Sequence, residues 1–184
     1  RDLIREEIQD YVTEIRTDAM GNLIAIKKGS GKKVMIASHM DEIGVIVTGI
    51  DEKGFLRCSN VGGVSPHVSL GQRILFQDGT IGVIGMEDLE NMKDLKLNKM
   101  YIDIGAETKE EAAKKVQIGD MACFYQPMAL LEKNIVSKAL DDRIGCFIAI
   151  EALKRIQSSP NEIYFVFTVQ EELGLRGAKT AAYG

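Results

Sequence analysis

Texture changes twice along this chain, and those two changes restrict its fold more than any single motif does. From about residue 44 to residue 133 the sequence breaks into short apolar segments, "GVIVTGI", "GFLRCS", "GQRILFQ", "TIGVIG" and "YIDIG", punctuated by Gly, Asp and Asn. "DEKG" and "QDGT" are turn sequences of the kind that join neighbouring strands. One helix is predicted to interrupt them, at "TKEEAAKKV", where Thr108 and Glu111 have capping-box spacing. Many short strands with turns predict a small β-barrel or sandwich with its own core.

The flanks read as α/β. "RDLIREEIQDYV" places Leu3, Ile4, Ile8, Tyr11 and Val12 on one helical face. "TEIRTD", the turn "MGN" and "LIAIKKG" form a predicted hairpin, and "KVMIASHMD" is an apolar strand ending in polar residues. After Asn134, "DDRIGCFIAIEALKRIQ" predicts a helix with Ile144, Phe147, Ile148, Ile150 and Ala152 on a wide apolar face. "EIYFVFTV" then reads as a buried strand, and "GLRGAKTAAYG" begins another helix. The expected fold is therefore an α/β domain with a mixed sheet, formed by 1–43 and 134–184, interrupted by a β-barrel-like insert at 44–133. The flanks are expected to share one sheet, and the insert to serve oligomerisation.

Charge narrows the function. A net charge of −4 and a pI near 5.3 argue against nucleic acid or an anionic membrane as the main partner. No apolar run reaches bilayer length, and nothing at the start reads as a signal peptide. The chain starts at Arg1 rather than Met, inside a predicted helix, so it reads as a piece of something longer. Cys58, Cys123 and Cys146 are widely spaced and odd in number, which suits small core residues in a reducing compartment and predicts a cytoplasmic setting.

Three polar clusters sit where buried elements begin or end: "SHMDE" after one strand, "LDDR" opening a helix, and "QEELG" after another strand. Ligands of open α/β sheets bind beyond the carboxyl ends of the strands. His39, Asp41, Asp141, Asp142, Glu171 and Glu172 are thus placed to gather at one rim. One imidazole with several carboxylates suits Zn, Co or Mn better than Ca or Mg. A carboxylate can bridge two cations, and of two adjacent glutamates one can bind metal while the other takes a proton. Each residue also has an ordinary structural reading. His39 can be a hydrogen-bonded strand end, Asp141 and Asp142 a helix cap, and Glu171 and Glu172 solvated loop charges. Their joint placement favours the metal.

"SHMDEIG", "KALDDRIG" and "TVQEELGLRGA", in that order around an all-β insert, resemble the glutamyl/deblocking aminopeptidases, metallopeptidase family forty-two. "DAMGNLIA", the "VGGV" loop and "YIDIGAETKEEA" resemble the same family, so the likeness runs over nearly the whole chain. The resemblance implies a dinuclear aminopeptidase acting on the N-terminal residue of peptides, with two divalent ions, zinc or cobalt. It implies a homo-oligomer too, since some members assemble into tetrahedral dodecamers. It makes His39 the terminal ligand of one metal and Asp41 the carboxylate that orients it. Asp141 becomes the bridging ligand, followed by a cis peptide bond in related enzymes. Glu171 becomes the general base and Glu172 a ligand to the second metal.

The family pattern also has an Asp and a His later in the chain than Gly184. His67 lies in the insert and reads as a loop histidine after Pro66 rather than as that ligand. With one terminal ligand per metal, residues 1–184 alone are expected to be metal-poor and inactive. A related co-catalytic carboxypeptidase or dipeptidase is the main alternative. A glycoside hydrolase would need an aromatic floor for a sugar, and the chain has no Trp. An assembly module with a vestigial metal site is a third, non-enzymatic reading.

Overall fold

The chain opens, in the computed structural model that describes residues 1–183, with helix α1 (Asp2–Ile8). A tight three-residue turn, Gln9–Tyr11, follows and breaks the α-helical phase. Ile8 is fully buried and Ile4 and Val12 pack against the same core, whereas Leu3 and Tyr11 are exposed, contrary to the single face expected of them. Strands β1 (Glu14–Thr17) and β2 (Leu23–Lys27) form an antiparallel hairpin, with Glu14 opposite Ile26 and Thr17 opposite Leu23. Strand β3 (Lys33–His39) follows.

Six strands then close into a barrel: β4 (Gly44–Ile50), β5 (Leu56–Val61), β6 (Arg73–Phe76), β7 (Ile81–Met86), β8 (Met100–Asp103) and β9 (Met121–Phe124), in the order β4-β5-β8-β7-β6-β9. Period-2 alternation aims Val45, Val47, Leu56, Ile74, Ile84 and Ile102 inward. Gly79 in "QDGT", at φ +92°, takes a turn conformation that side-chain-bearing residues rarely adopt. Helix α2 (Pro66–Ser69), which the sequence reading did not anticipate, lies between β5 and β6. Helix α3 (Lys109–Ala113) is capped as its spacing predicts, the Thr108 hydroxyl accepting the Glu111 N–H at 3.3 Å. The return arm differs: Glu111 accepts from the Glu107 N–H instead of that of Thr108. A separate hairpin, β10 (Ala129–Leu131) with β11 (Asn134–Val136), follows the barrel and is exposed throughout.

Helix α4 (Leu140–Arg155), strand β12 (Glu162–Thr168) and helix α5 (Arg176–Tyr183) complete the described residues. β12 pairs antiparallel with β2 and parallel with β3, giving the mixed sheet β1-β2-β12-β3, with strands from both flanks. Both β2 and β12 carry near-continuous apolar runs because both of their faces are covered. On one face Leu23, Ala25, Phe165 and Phe167 pack with Ile8 and α4; on the other Ile24, Ile26 and Val166 meet Ala181. α4 uses a different face from the one expected. Cys146, Ala149 and Leu153 are buried, Ile150 and Ala152 half-buried, and Ile144, Phe147 and Ile148 exposed. Cys146, Ala149 and Leu153 recur at i, i+3 and i+7 and so share one helical face, which is the one that meets the sheet, while Ile144, Phe147 and Ile148 lie off it. Lys27 Nζ donates to the Ile156 carbonyl at 2.7 Å and so caps the end of α4. The chain thus forms two compact units, Arg1–Glu42 with the segment from Ala139 onward, and Ile43–Lys138. Among the described residues no helix is long and apolar enough to cross a membrane.

Candidate metal centre

The parallel pairing of β3 with β12 sets His39 opposite Thr168, so both strands release their chains at the same end of the sheet. Two residues beyond His39, the Asp41 carboxylate accepts the backbone N–H of Glu171 at 3.1 Å and of Glu172 at 3.2 Å. The two glutamates are therefore held by their main chain, and this hold does not use their carboxylates. The first turn of α4 arrives beside them. Asp142 accepts the His39 N–H at 3.2 Å on one oxygen and the Gly145 N–H at 3.1 Å on the other. A Cβ on residue 145 would run into the Asp142 carboxylate, so a glycine is needed there. The Asp141–Asp142 peptide bond is cis.

Backbone strain marks the same segments. Ala139, two residues before Asp141, and Gln170, immediately before Glu171, adopt positive φ (57° and 56°), and so does Leu175 (60°) at the end of the glutamate loop. Non-glycine residues persist there only where surrounding structure holds them, commonly at functional sites. Nothing in the residue types announces this strain.

Among the described residues, His39, Asp141 and Glu172 each offer a ligand atom within 4.8 Å of the others. His39 Nε2 lies 3.2 Å from Asp141 Oδ1 and 3.5 Å from Glu171 Oε2. The imidazole is nearly buried, with 9% of its side chain exposed, while the Asp141 carboxylate is 90% exposed. His39 Nδ1 is 3.0 Å from the Asp41 backbone carbonyl and 3.8 Å from its carboxylate. The Asp41 carbonyl is thus the nearer partner of the ring, and a tautomer that donates to it from Nδ1 leaves the Nε2 lone pair available to a metal ion. Burial by itself pushes the His39 pKa down, but the hydrogen bond to Asp41 and the negative charges of Glu171 and Asp41, with the Asp141 contact, reverse it, so the net pKa is raised. A field that favours a proton on Nε2 favours a divalent cation there as well. One imidazole and two carboxylates converging in this field suit a borderline divalent ion.

His67 belongs to the barrel unit, where its Nε2 lies 3.2 Å from the Met92 carbonyl, and it takes no part in this group. The cysteines are unpaired thiols, with Cys58 and Cys146 buried and Cys123 half-buried; burial pushes the Cys58 and Cys146 thiols up.

The family model for M42 glutamyl aminopeptidase matches residues 21–184. The chain belongs to the M42 glutamyl aminopeptidase family. Over 184 residues it is 59% identical to a curated protein of Acetivibrio thermocellus that carries an aminopeptidase name, a match covering 100% of this chain and 56% of that protein. An aminopeptidase structure from Desulfurococcus kamchatkensis superposes with a TM-score of 0.90 at 41% identity, over 100% of this chain and 53% of that one. The TET1 peptidase of Pyrococcus horikoshii, described as assembling into a tetrahedron or a large octahedral shell, gives a TM-score of 0.85 at 38% identity, over 99% of this chain and 58% of that one. This M42 chain spans about half the length of the relatives it matches.

Proposed function

We propose that the protein carrying this M42 chain is a metal-dependent aminopeptidase that removes the N-terminal residue of peptides. The observation that carries the reading is the convergence of His39, Asp141 and Glu172, with Glu171 against the same imidazole. His39 and Glu172 would each hold one of two divalent ions, zinc or cobalt, with Asp141 shared between them. Ions bound there polarise a peptide carbonyl and ease the deprotonation of water. Glu171, half-buried and not needed as a ligand, takes the proton of the attacking water and delivers it to the leaving amine. Asp41 keeps the two glutamates in register by holding both of their N–H groups.

The assemblies described for the Pyrococcus horikoshii relative support a homo-oligomer, and the barrel unit is our candidate for the surface where copies meet. A net charge of −4 sets nucleic acid and anionic membranes apart from the peptide substrate, and the three unpaired cysteines suit the cytoplasm. The test offers the full-length protein peptides with free and with acetylated N-termini, before and after chelation. Release of the first residue from free peptides only, lost with chelator and restored by Zn²⁺ or Co²⁺, is expected. Cleavage from the carboxyl end, or cleavage indifferent to chelator, overturns the reading.

A further inference from the structure

Asn22 is fully buried at the end of the β1–β2 turn, far along the chain from the glutamate loop. Its side chain nevertheless reaches both ends of that loop. Asn22 Oδ1 accepts the Val169 N–H at 3.0 Å, and Nδ2 donates to the Gly177 carbonyl at 2.9 Å. The second hydrogen of Nδ2 goes to Asp18 Oδ2 at 2.7 Å. The other Asp18 oxygen accepts the N–H groups of Met20, Gly21 and Asn22, at 3.0, 2.9 and 3.0 Å. The carboxylate is thereby fixed by its own turn, and it fixes the amide in turn.

Val169 and Gly177 are the two feet of the loop that carries Glu171 and Glu172. Their backbones also bond to each other, Gly177 N–H to Val169 O at 3.1 Å, with Arg176 N–H to Gln170 O at 3.2 Å just above. A Cβ at residue 177 would collide with Val169 O and with Asn22 Oδ1, so the buried Gly177 is what lets the amide enter. A buried amide has to be satisfied, but an apolar residue would fill the space without that requirement. Here both loop-directed bonds go to the loop's feet and the third to the anchoring carboxylate.

We propose that Asn22, braced by Asp18, is a positioning residue that clips the feet of loop 169–177 together and so sets where Glu171 and Glu172 stand. Its consequence for catalysis rests on the roles given to those glutamates above. Removing the amide leaves the Val169 N–H without its acceptor and takes from the Gly177 carbonyl its side-chain donor. The loop gains freedom at its base while both glutamates remain in place chemically. Asn22→Asp is also damaging. It keeps an acceptor for Val169 but sets oxygen against oxygen at Asp18 and Gly177.

The experiment uses the full-length protein and reads two quantities. Amide hydrogen exchange across 170–176 is expected to accelerate at least about tenfold in Asn22→Ala, since one loop foot loses its donor and the other its acceptor. With peptide substrate, kcat is expected to fall about 10- to 100-fold while KM moves less than about threefold, as for a catalytic group displaced by a fraction of an ångström. Leu153→Ala, matched for melting temperature, serves as the control for plain destabilisation. If Asn22→Ala does not fold, Asp18→Asn, which loosens only the brace, carries both measurements. Unchanged exchange in 170–176, or a fall in kcat no larger than that of Leu153→Ala, overturns the clip. A wild-type protein that takes up no metal and releases no residue overturns the proposed function instead, and the exchange measurement still decides the clip.

Discussion

Among the described residues the two units arrange their strands differently. The barrel, β4-β5-β8-β7-β6-β9, closes on itself, so each of its strands has a neighbour on both sides and its apolar residues face one interior. In the described residues the sheet β1-β2-β12-β3 does not close on itself. Among the described residues β3 is an edge strand on which Val34, Met35 and Ile36 are exposed, and Ile144, Phe147 and Ile148 of α4 are exposed as well. Yet His39, Asp41, Asp141, Asp142, Glu171 and Glu172 all belong to the open unit, and the barrel contributes none of them. A closed barrel has spent its strand ends on turns. The open sheet has parallel strands β3 and β12 whose ends lie side by side, and that is where chemistry can gather.

The sharpest way to break this contrast is to remove chemistry from the open unit. Glu171→Gln in the full-length protein is expected to lower turnover by about two to four orders of magnitude, the usual worth of a general base, with metal content unchanged. Steady-state kinetics with metal analysis checks it, and wild-type-like turnover at full metal loading would remove Glu171 from the role.

Next comes a change confined to the barrel. Leu56 is fully buried there, and Leu56→Ala should cost about 2–5 kcal/mol of stability through lost burial and a residual cavity. Denaturant unfolding should register the loss while Co²⁺ uptake, followed by its visible absorption, stays as in wild type. A parallel loss of cobalt binding would mean that the two units are not independent.

A smaller effect is expected at Asp142, which bonds the His39 N–H and the first turn of α4 without being a proposed ligand. Asp142→Ala should weaken metal binding about 10- to 100-fold, the range usual for groups that orient ligands. Competition with a chromophoric chelator measures it, and unaltered affinity would show that His39 and Asp141 hold their positions unaided.

The smallest effect lies in the acid range. Burial raises the pKa of Asp18, but hydrogen bonds from Asn22, Gly21 and Met20 outweigh it and leave the pKa below 3.8. A depressed folded-state pKa means that this carboxylate stabilises the fold above its unfolded value, and the contribution fades as pH falls through the lower folded value. Urea midpoints of wild type and Asp18→Asn should therefore differ most above about pH 5 and converge below about pH 4. A gap that is constant with pH would place the carboxylate's worth in shape rather than charge.

By itself the sequence determined the order of textures, the β-rich middle, most of the strands and the three clusters that hold the site residues. Those features are local: strand alternation, turn residues and caps act within a few positions. It also brought out the M42 likeness, because "SHMDEIG", "KALDDRIG" and "TVQEELGLRGA" are contiguous words. Only the tertiary structure decided which face of α4 is buried. Periodicity marks a stripe as apolar, but whether Cys146 or Phe147 meets the sheet depends on how the helix is set on it. Tertiary structure also decided that the Asp41 carbonyl, rather than its carboxylate, is the nearer partner of the His39 ring, since backbone atoms carry no residue-specific signal. And it alone disclosed Asn22, which reads as an ordinary turn residue until β2 and β12 pair. Its partners lie 147 and 155 residues away, and no local pattern encodes a bond across that distance.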